Sequence, residues 1–148
     1  MQTGVQVADA MTLRPITCTP SASLLECALL MKNMHVGSLI VRDGEKLLGM
    51  FTEQDMVRKA MTTDKPASQI MCSEIMEETL ITIEPDADIQ DALLLMADHN
   101  IRHLPVLHNG KMVGLITGKD ILKLEPALFE LLHETIELRE QERKIREE

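Results

Sequence analysis

Two stretches of this chain place reactive side chains where a helix should begin. Gly49-Met50-Phe51-Thr52-Glu53-Gln54-Asp55 and Gly114-Leu115-Ile116-Thr117-Gly118-Lys119-Asp120 each run from a glycine through two apolar residues to a threonine, with an aspartate three positions later. After a β-rich run, Thr-x-x-Asp reads as an acidic capping box, in which hydroxyl and carboxylate satisfy the first backbone N–H groups of a helix. The same arrangement suits a ligand. Free N–H groups at a helix start favour a phosphate. A threonine hydroxyl adds a donor, and a carboxylate accepts both hydroxyls of a ribose. The residues alone leave both roles open.

Other reactive residues form no comparable pattern. His99, His103 and His108 have the numbers of a metal set, but His99 should close a helix while the others flank a strand. Cys18, Cys27 and Cys72 are an odd count without CxxC spacing, which reads as free buried thiols in a reducing compartment, with no metal expected. No serine or cysteine has a motif-level partner base, and there is no glycine-rich phosphate loop, so the reading is a protein that is not an enzyme.

The elements that would position these residues occur twice, 65 residues apart. Val7 to Lys59 aligns without a gap on Cys72 to Leu124: Met11 on Met76, Thr17 on Thr82, Pro20 on Pro85, Leu39 on Leu104, Gly49 on Gly114, Asp55 on Asp120. A repeat of this length holds a supersecondary unit that seldom buries its apolar face alone. The expectation is therefore two units packed into one core about a pseudo-twofold axis. Repeat one spans 7–62, a polar linker 63–69, repeat two 70–125 and a last helix 126–148. In repeat one the patterns predict a strand at 16–19, a helix opened by a Ser23/Glu26 capping box that runs to about Met34 and is ended by Gly37, and strands at 38–41 and 46–51 around an Asp43-Gly44 turn. A helix follows from Thr52 to about Ala60. Repeat two predicts a strand at 80–83, a helix at 89–99, strands at 103–107 and 112–116 around Asn109-Gly110, and a helix from Thr117. Beyond Pro126, Leu131, Leu138 and Ile145 recur every seven residues along one edge, suited to docking or dimerisation, or to a charged tail packed only at its start.

Composition narrows the function. The 148 residues are 45% hydrophobic, with eleven Met, two Phe and no Trp or Tyr, so aliphatic side chains and methionine fill the core. The formal charge of −9 and the lack of a basic run before the tail disfavour nucleic acid. The first ten residues lack the basic start and apolar stretch of a signal peptide, and no apolar run spans a bilayer, so the expected location is cytoplasmic, without membrane contact.

The ordered set Met-Thr-x-x-Pro-Ile-Thr, Pro-x-Ala-x before a helix, Ile101-Arg102-His103-Leu104-Pro105-Val106 and Gly114 to Asp120, present in two copies over about residues 7–124, resembles the CBS domain, named for cystathionine β-synthase. The resemblance implies an α/β (α+β) fold of two tandem β-α-β-β-α repeats with pseudo-twofold symmetry plus the C-terminal helix, and two clefts that take AMP, ADP, ATP or S-adenosylmethionine. One cleft would combine Thr52 and Asp55 with Thr79, Ile81, Thr82, Ile101, Arg102 and His103. The other would combine Thr117 and Asp120 with Arg14, Ile16, Thr17, Val36, Gly37 and Ser38. The aspartates would hold ribose and the threonines phosphate, while strand residues flank adenine. Arg102 and His103 face Gly37 and Ser38 in the alignment, so phosphate contacts should be richer in the first cleft, although Glu77 and Glu78 make it less suited to a triphosphate. The function so implied is a regulatory module that needs no cofactor. It binds an adenosine nucleotide (with Mg2+ where that is ATP), forms a homodimer and passes its occupancy to a protein partner. An S-adenosylmethionine sensor and an interaction scaffold with empty clefts are the alternatives.

Overall fold

The computed structural model describes residues 2–124 and 126–147, with side chains at all of these except residues 126–129, 131 and 132. In chain order the elements are α1 (Val7–Ala10), β1 (Thr17–Cys18), α2 (Leu24–Met34), β2 (Ser38–Asp43), β3 (Lys46–Thr52), α3 (Glu53–Asp55), α4 (Ile89–His99), β4 (His103–His108), β5 (Lys111–Thr117), α5 (Gly118–Leu122) and α6 (Pro126–Glu147). A single π-helical turn, Met56–Ala60, continues α3, and two 3₁₀ turns lie at Ala67–Gln69 and Cys72–Glu74.

The chain divides into two compact units: Pro15–Leu80, and Met1–Arg14 together with Ile81–Glu148. This division cuts across the sequence repeats. The segment that leads into repeat two packs on the body of repeat one, and the leader of repeat one packs on the body of repeat two. In the first unit Cys72 N–H donates to Ala22 O (2.8 Å), Leu24 N–H to Ile70 O (2.8 Å), and Glu77 and Met50 exchange backbone bonds of 2.8 and 3.1 Å. The second unit repeats each bond 65 positions away: Val7 to Ala87 (2.8 Å), Ile89 to Val5 (3.0 Å), and Thr12 with Leu115 (2.8 and 3.0 Å).

Within each unit an antiparallel hairpin is the spine. β2 pairs with β3 from Ser38↔Thr52 to Asp43↔Lys46, and β4 with β5 from His103↔Thr117 to His108↔Lys111. Both hairpins run further than the expected strands. The first turn falls at Gly44-Glu45, one residue beyond the expected Asp43-Gly44, with Gly44 at φ 60°. The second is Asn109-Gly110 at φ 52° and 78°, the left-handed pair that a two-residue hairpin turn requires. β1 adds in parallel to β2 through Thr17↔Ile40 and Cys18↔Val41. Its expected counterpart at 80–83 shrinks to one bridge, Ile83↔Val106. The cause is Pro105, which stands where repeat one has Ile40. Ile40 N–H donates to Ile16 O (3.1 Å), and a proline has no N–H to repeat that bond.

Helix starts follow their residues. Ser23 Oγ accepts from Glu26 N–H (3.1 Å) at α2, which is half of the expected capping box because the Glu26 carboxylate does not return the bond, and Asp88 caps α4 through Gln90 N–H (2.8 Å). The α2 helix ends at Met34, as the pattern predicts, but the residue that closes it is His35 and not Gly37. His35 and Asn100, again 65 apart, take the left-handed conformation at φ 55° and 53° and close α2 and α4. Asp88 also accepts from the Thr3 N–H, the Thr3 hydroxyl and the Gly4 N–H at 2.8–3.0 Å, which ties the start of the chain to α4.

The described residues form two apolar cores, not the single one expected, because each exchanged leader completes its own unit. Leu24, Cys27, Met31, Leu39, Val41, Phe51, Ile70, Cys72 and Ile75 form one, while Val7, Leu93, Met96, Leu104, Val106, Ile116, Ile121 and Ile136 belong to the other. α6 packs on α4 and α5, with Ile136 buried and Arg139 Nε paired to Asp98 (2.9 Å). The seven-residue edge is not the packed face: Leu138 and Ile145 are exposed, and the side chain of Leu131 lies outside the described residues.

Each leader bridge needs a residue without a side chain. A Cβ on Gly49 would lie 2.7 Å from Glu77 O, and one on Gly114 would lie 2.8 Å from Thr12 O, in both cases against backbone. Gly49→Ala and Gly114→Ala should each cost about 1–3 kcal/mol in urea unfolding. Gly37→Ala, whose nearest neighbour is the Glu53 carboxylate carbon at 3.6 Å, should stay within about 0.5 kcal/mol. Equal effects at all three positions would contradict the close approach.

Burial raises the proton affinity of Asp88, but the donors from Gln90, Thr3 and Gly4 outweigh it, and the carboxyl titrates below its ordinary value of 3.8. A depressed folded value contributes stability that is present above pH 3.8 and lost as the pH falls through the lowered value. The stability gap between wild type and Asp88→Ala should therefore close in acid denaturation. A gap constant down to pH 2 would contradict this assignment.

Candidate functional site

The two Thr-x-x-Asp motifs are built alike. Thr52 and Thr117 end β3 and β5 in extended conformation and cap α3 and α5. Asp55 N–H donates to the Thr52 hydroxyl (3.4 Å) and Thr52 N–H to Asp55 Oδ2 (3.0 Å). The matching bonds join Asp120 and Thr117 at 3.1 and 3.0 Å. Both are reciprocal capping boxes, so the structural role read from the sequence is filled, and one oxygen of each carboxylate is committed to it.

The second oxygen separates the two motifs. Asp120, 9% exposed, receives the Thr12 hydroxyl at 3.2 Å on Oδ1 and 3.3 Å on Oδ2. In repeat two the residue aligned with Thr12 is Glu77, whose carboxylate would meet Asp55 with like charge. Glu77 instead accepts from Thr79 N–H (3.3 Å), and Asp55 Oδ1 meets Lys59 Nζ at 3.4 Å. The Asp55 and Lys59 side chains are 25% and 43% exposed, and an exposed pair of this kind adds roughly 0–1 kcal/mol. Asp55 thus keeps an oxygen accessible to a competing donor, while Asp120 is buried and engaged.

The strand residues singled out in the sequence fall next to these motifs within each unit. In the Pro15–Leu80 unit Thr52 pairs with Ser38, and Glu53 N–H donates to Gly37 O (3.0 Å). Val36 leads into the same strand, while Ile16 and Thr17 lie along its other edge by way of β1. In the other unit Thr117 pairs with His103, and Gly118 N–H donates to Arg102 O (3.0 Å). Ile81 and Ile101 pack on the apolar core there, and Thr82 precedes the Ile83 bridge. Thr79 and Arg14 share a unit with the motif of their own expected cleft, while the other strand residues lie in the unit of the opposite motif. Arg102 and Arg14 are exposed, and Asp98, four residues before Arg102, pairs with Arg139.

Sequence reasoning missed three features. Thr12 as a partner of Asp120 was hidden because the exchange of leaders has no local signal. Lys59 was legible as the i+4 partner of Asp55. The three cysteines, far apart in sequence, converge: Cys18, Cys27 and Cys72 place all their sulfurs within 4.8 Å of one another. They form the one group of three or more Cys, His or carboxylate donors so close among the described residues, and His99, His103 and His108 do not assemble into another.

Comparisons with known proteins agree with this architecture. An uncharacterised protein of Methanopyrus kandleri is 34% identical over 132 residues, covering 88% of this chain and 67% of that protein. The CBS domain-containing protein YhcV of Bacillus subtilis is 34% identical, with 78% of this chain and 81% of that protein covered. Among solved structures, the CBS domain pair of protein MJ0100 in complex with 5′-methylthioadenosine and S-adenosyl-L-methionine is 29% identical, with a TM-score of 0.73 over 81% of this chain and 98% of that one. The CBS domain profile matches residues 7–62 and again 72–126, and the chain belongs to the CBS domain family as a tandem pair.

Proposed function

We propose that this CBS pair is a regulatory module, without catalytic activity, that binds an adenosine-bearing ligand through Asp55 and passes its occupancy to a protein partner. The observation that carries the reading is the state of the Asp55 carboxylate. Thr52 holds one oxygen in a fixed direction, and the other is contacted by an exposed lysine that a ribose hydroxyl can displace at little cost. Lys59, which also donates to Ile75 O (3.3 Å), would have to give up that carbonyl as well to reach a phosphate. Asp120 would have to surrender Thr12 first, so the motif of repeat two is the weaker site. Arg102, which lies beside Thr117 in the other unit, is a proposed phosphate contact by family resemblance alone. Transmission follows from linkage: a ligand that prefers one state of the module changes a partner's affinity by the same factor that the partner changes the ligand's.

A second reading, a sensor of S-adenosylmethionine or methylthioadenosine, is favoured by the ligands of the MJ0100 pair and by the acidic setting of Asp55. Glu53, Glu77 and Glu78 all belong to its unit, and a formal charge of −9 opposes a polyphosphate.

A thermal-shift panel of AMP, ADP, ATP, S-adenosylmethionine, methylthioadenosine and guanosine analogues tests both. At least one adenosine ligand should raise the melting temperature, and guanosine analogues should do less. Asp55→Ala should abolish the larger part of the shift at a cost in stability of about 0.5–2 kcal/mol. Asp120→Ala should cost more stability, having lost Thr12 as well, and less binding. Arg102→Ala should weaken nucleotides by about 1.5–3 kcal/mol and leave adenosine nearly unchanged. A flat panel at millimolar ligand leaves only an interaction scaffold.

The same module is proposed to dimerise. Leu25, Leu29 and Met34 are about half exposed along α2, an unusual concentration of large apolar side chains for a free helix. Leu30 and Leu95 are already partly covered by their own cores, so α2 offers the larger share of the surface. Light scattering should give twice the chain mass, and Leu25→Glu/Leu29→Glu should return a folded monomer. A wild-type monomer at tens of micromolar would contradict the dimer.

A further inference from the structure

The cysteine cluster is the one chemical feature of the described residues that the regulatory reading does not use. Cys18 comes from β1, Cys27 from the first turns of α2, and Cys72 from the 3₁₀ turn of the repeat-two leader. Cys27 and Cys72 are buried, while Cys18 is half-buried and also lines a cavity of about 330 Å³ with Thr17, Thr19, Arg42 and Gly44. The sulfurs of Cys18 and Cys72 are 3.8 Å apart, and no pair in the cluster exceeds 4.8 Å.

That spacing matches three thiolates around one ion. With metal–sulfur bonds of about 2.3 Å in a trigonal plane, sulfurs stand about 4.0 Å apart. Even a triangle with every edge at 4.8 Å needs each sulfur to move inward by only about 0.5 Å.

We propose that Cys18, Cys27 and Cys72 form a binding site for a single soft monovalent cation, Cu(I), held by three sulfurs. Thiolates select soft d10 ions. Zn2+ in a structural site takes four ligands, and no histidine, carboxylate or fourth cysteine joins the group among the described residues. The exchange is balanced: Cu+ displaces the thiol protons, three for a fully deprotonated site, and the metal keeps its oxidation state. Cys18, the least buried of the three, is the ligand nearest solvent. The ion would clip the leader of repeat two, at Cys72, to β1 and α2, across 54 positions of chain.

The reduced, full-length protein is loaded anaerobically with Cu(I) as its acetonitrile complex, or with Zn2+, desalted and assayed for metal by mass spectrometry. Affinity is read by competition with bathocuproine disulfonate. One Cu(I) per chain should be retained, and iodoacetamide should label none of the three thiols in the loaded protein while labelling Cys18 in the metal-free one. Cys18→Ser, at the least buried position, should keep the wild-type circular dichroism and lose at least about 10–100-fold in affinity. If that variant fails to fold, protection of the wild-type thiols still decides. Copper lost on desalting, thiols labelled equally with and without metal, or undiminished affinity in folded Cys18→Ser would each overturn the proposal. Retention of one Zn2+ in preference to Cu(I) would overturn the three-coordinate assignment.

Discussion

The structure depends on a close backbone contact made twice: Glu77 with Met50 beside Gly49, and Thr12 with Leu115 beside Gly114. A short segment lying against a hairpin at this distance leaves no room for a side chain, so both positions need glycine. The contact makes each sequence repeat incomplete as a folding unit. Val7 fills the core of the unit built on repeat two, and Ile70, Cys72 and Ile75 fill that of the unit built on repeat one. An isolated β-α-β-β-α element exposes one apolar face, and the borrowed leader covers part of it. The folded arrangement thus gains burial without lengthening either repeat.

The same exchange explains why two near-identical motifs differ in chemistry. The leader brings a different residue to each capping aspartate: a threonine hydroxyl to Asp120, and a glutamate to the neighbourhood of Asp55. The hydroxyl closes the first carboxylate by donating to it. The glutamate cannot donate, so the second carboxylate turns to a surface lysine and keeps an oxygen within reach of solvent. The leader residue, Thr12 or Glu77, together with Lys59 where repeat two has Leu124, sets which copy keeps an exposed carboxylate oxygen.

Much of this was legible in the residues. The hairpins, α4 to the residue and the capping boxes follow from alternation, periodicity and Thr-x-x-Asp spacing, because each is decided within about ten residues of chain. Pro105 shows why the copies then diverge: the hydrophobic pattern at 80–83 reads as a strand, yet the ladder partner lacks the N–H that would hold it. The end of α2 at Met34 was legible, but not the residue that makes it. Gly37 attracts attention as a stop, while His35 takes the left-handed position two residues sooner, as Asn100 does at the matching place in repeat two. The exchange of leaders, and with it Thr12 beside Asp120 and the meeting of Cys18, Cys27 and Cys72, left no trace in local pattern. Contacts such as Cys18 with Cys72 and Thr12 with Asp120 join residues 54 and 108 positions apart, and a perfect repeat is equally compatible with each leader packing on its own body.

Because of the repeat, the two pairings are exclusive alternatives and can be told apart in one measurement. Cross-hydrogen-bond NMR correlations on uniformly labelled protein report which carbonyl accepts each amide. Exchange of leaders predicts Thr12 N–H to Leu115 carbonyl and Glu77 N–H to Met50 carbonyl. Correlations from Thr12 to Met50 and from Glu77 to Leu115 would mean that each repeat keeps its own leader, which contradicts the exchange.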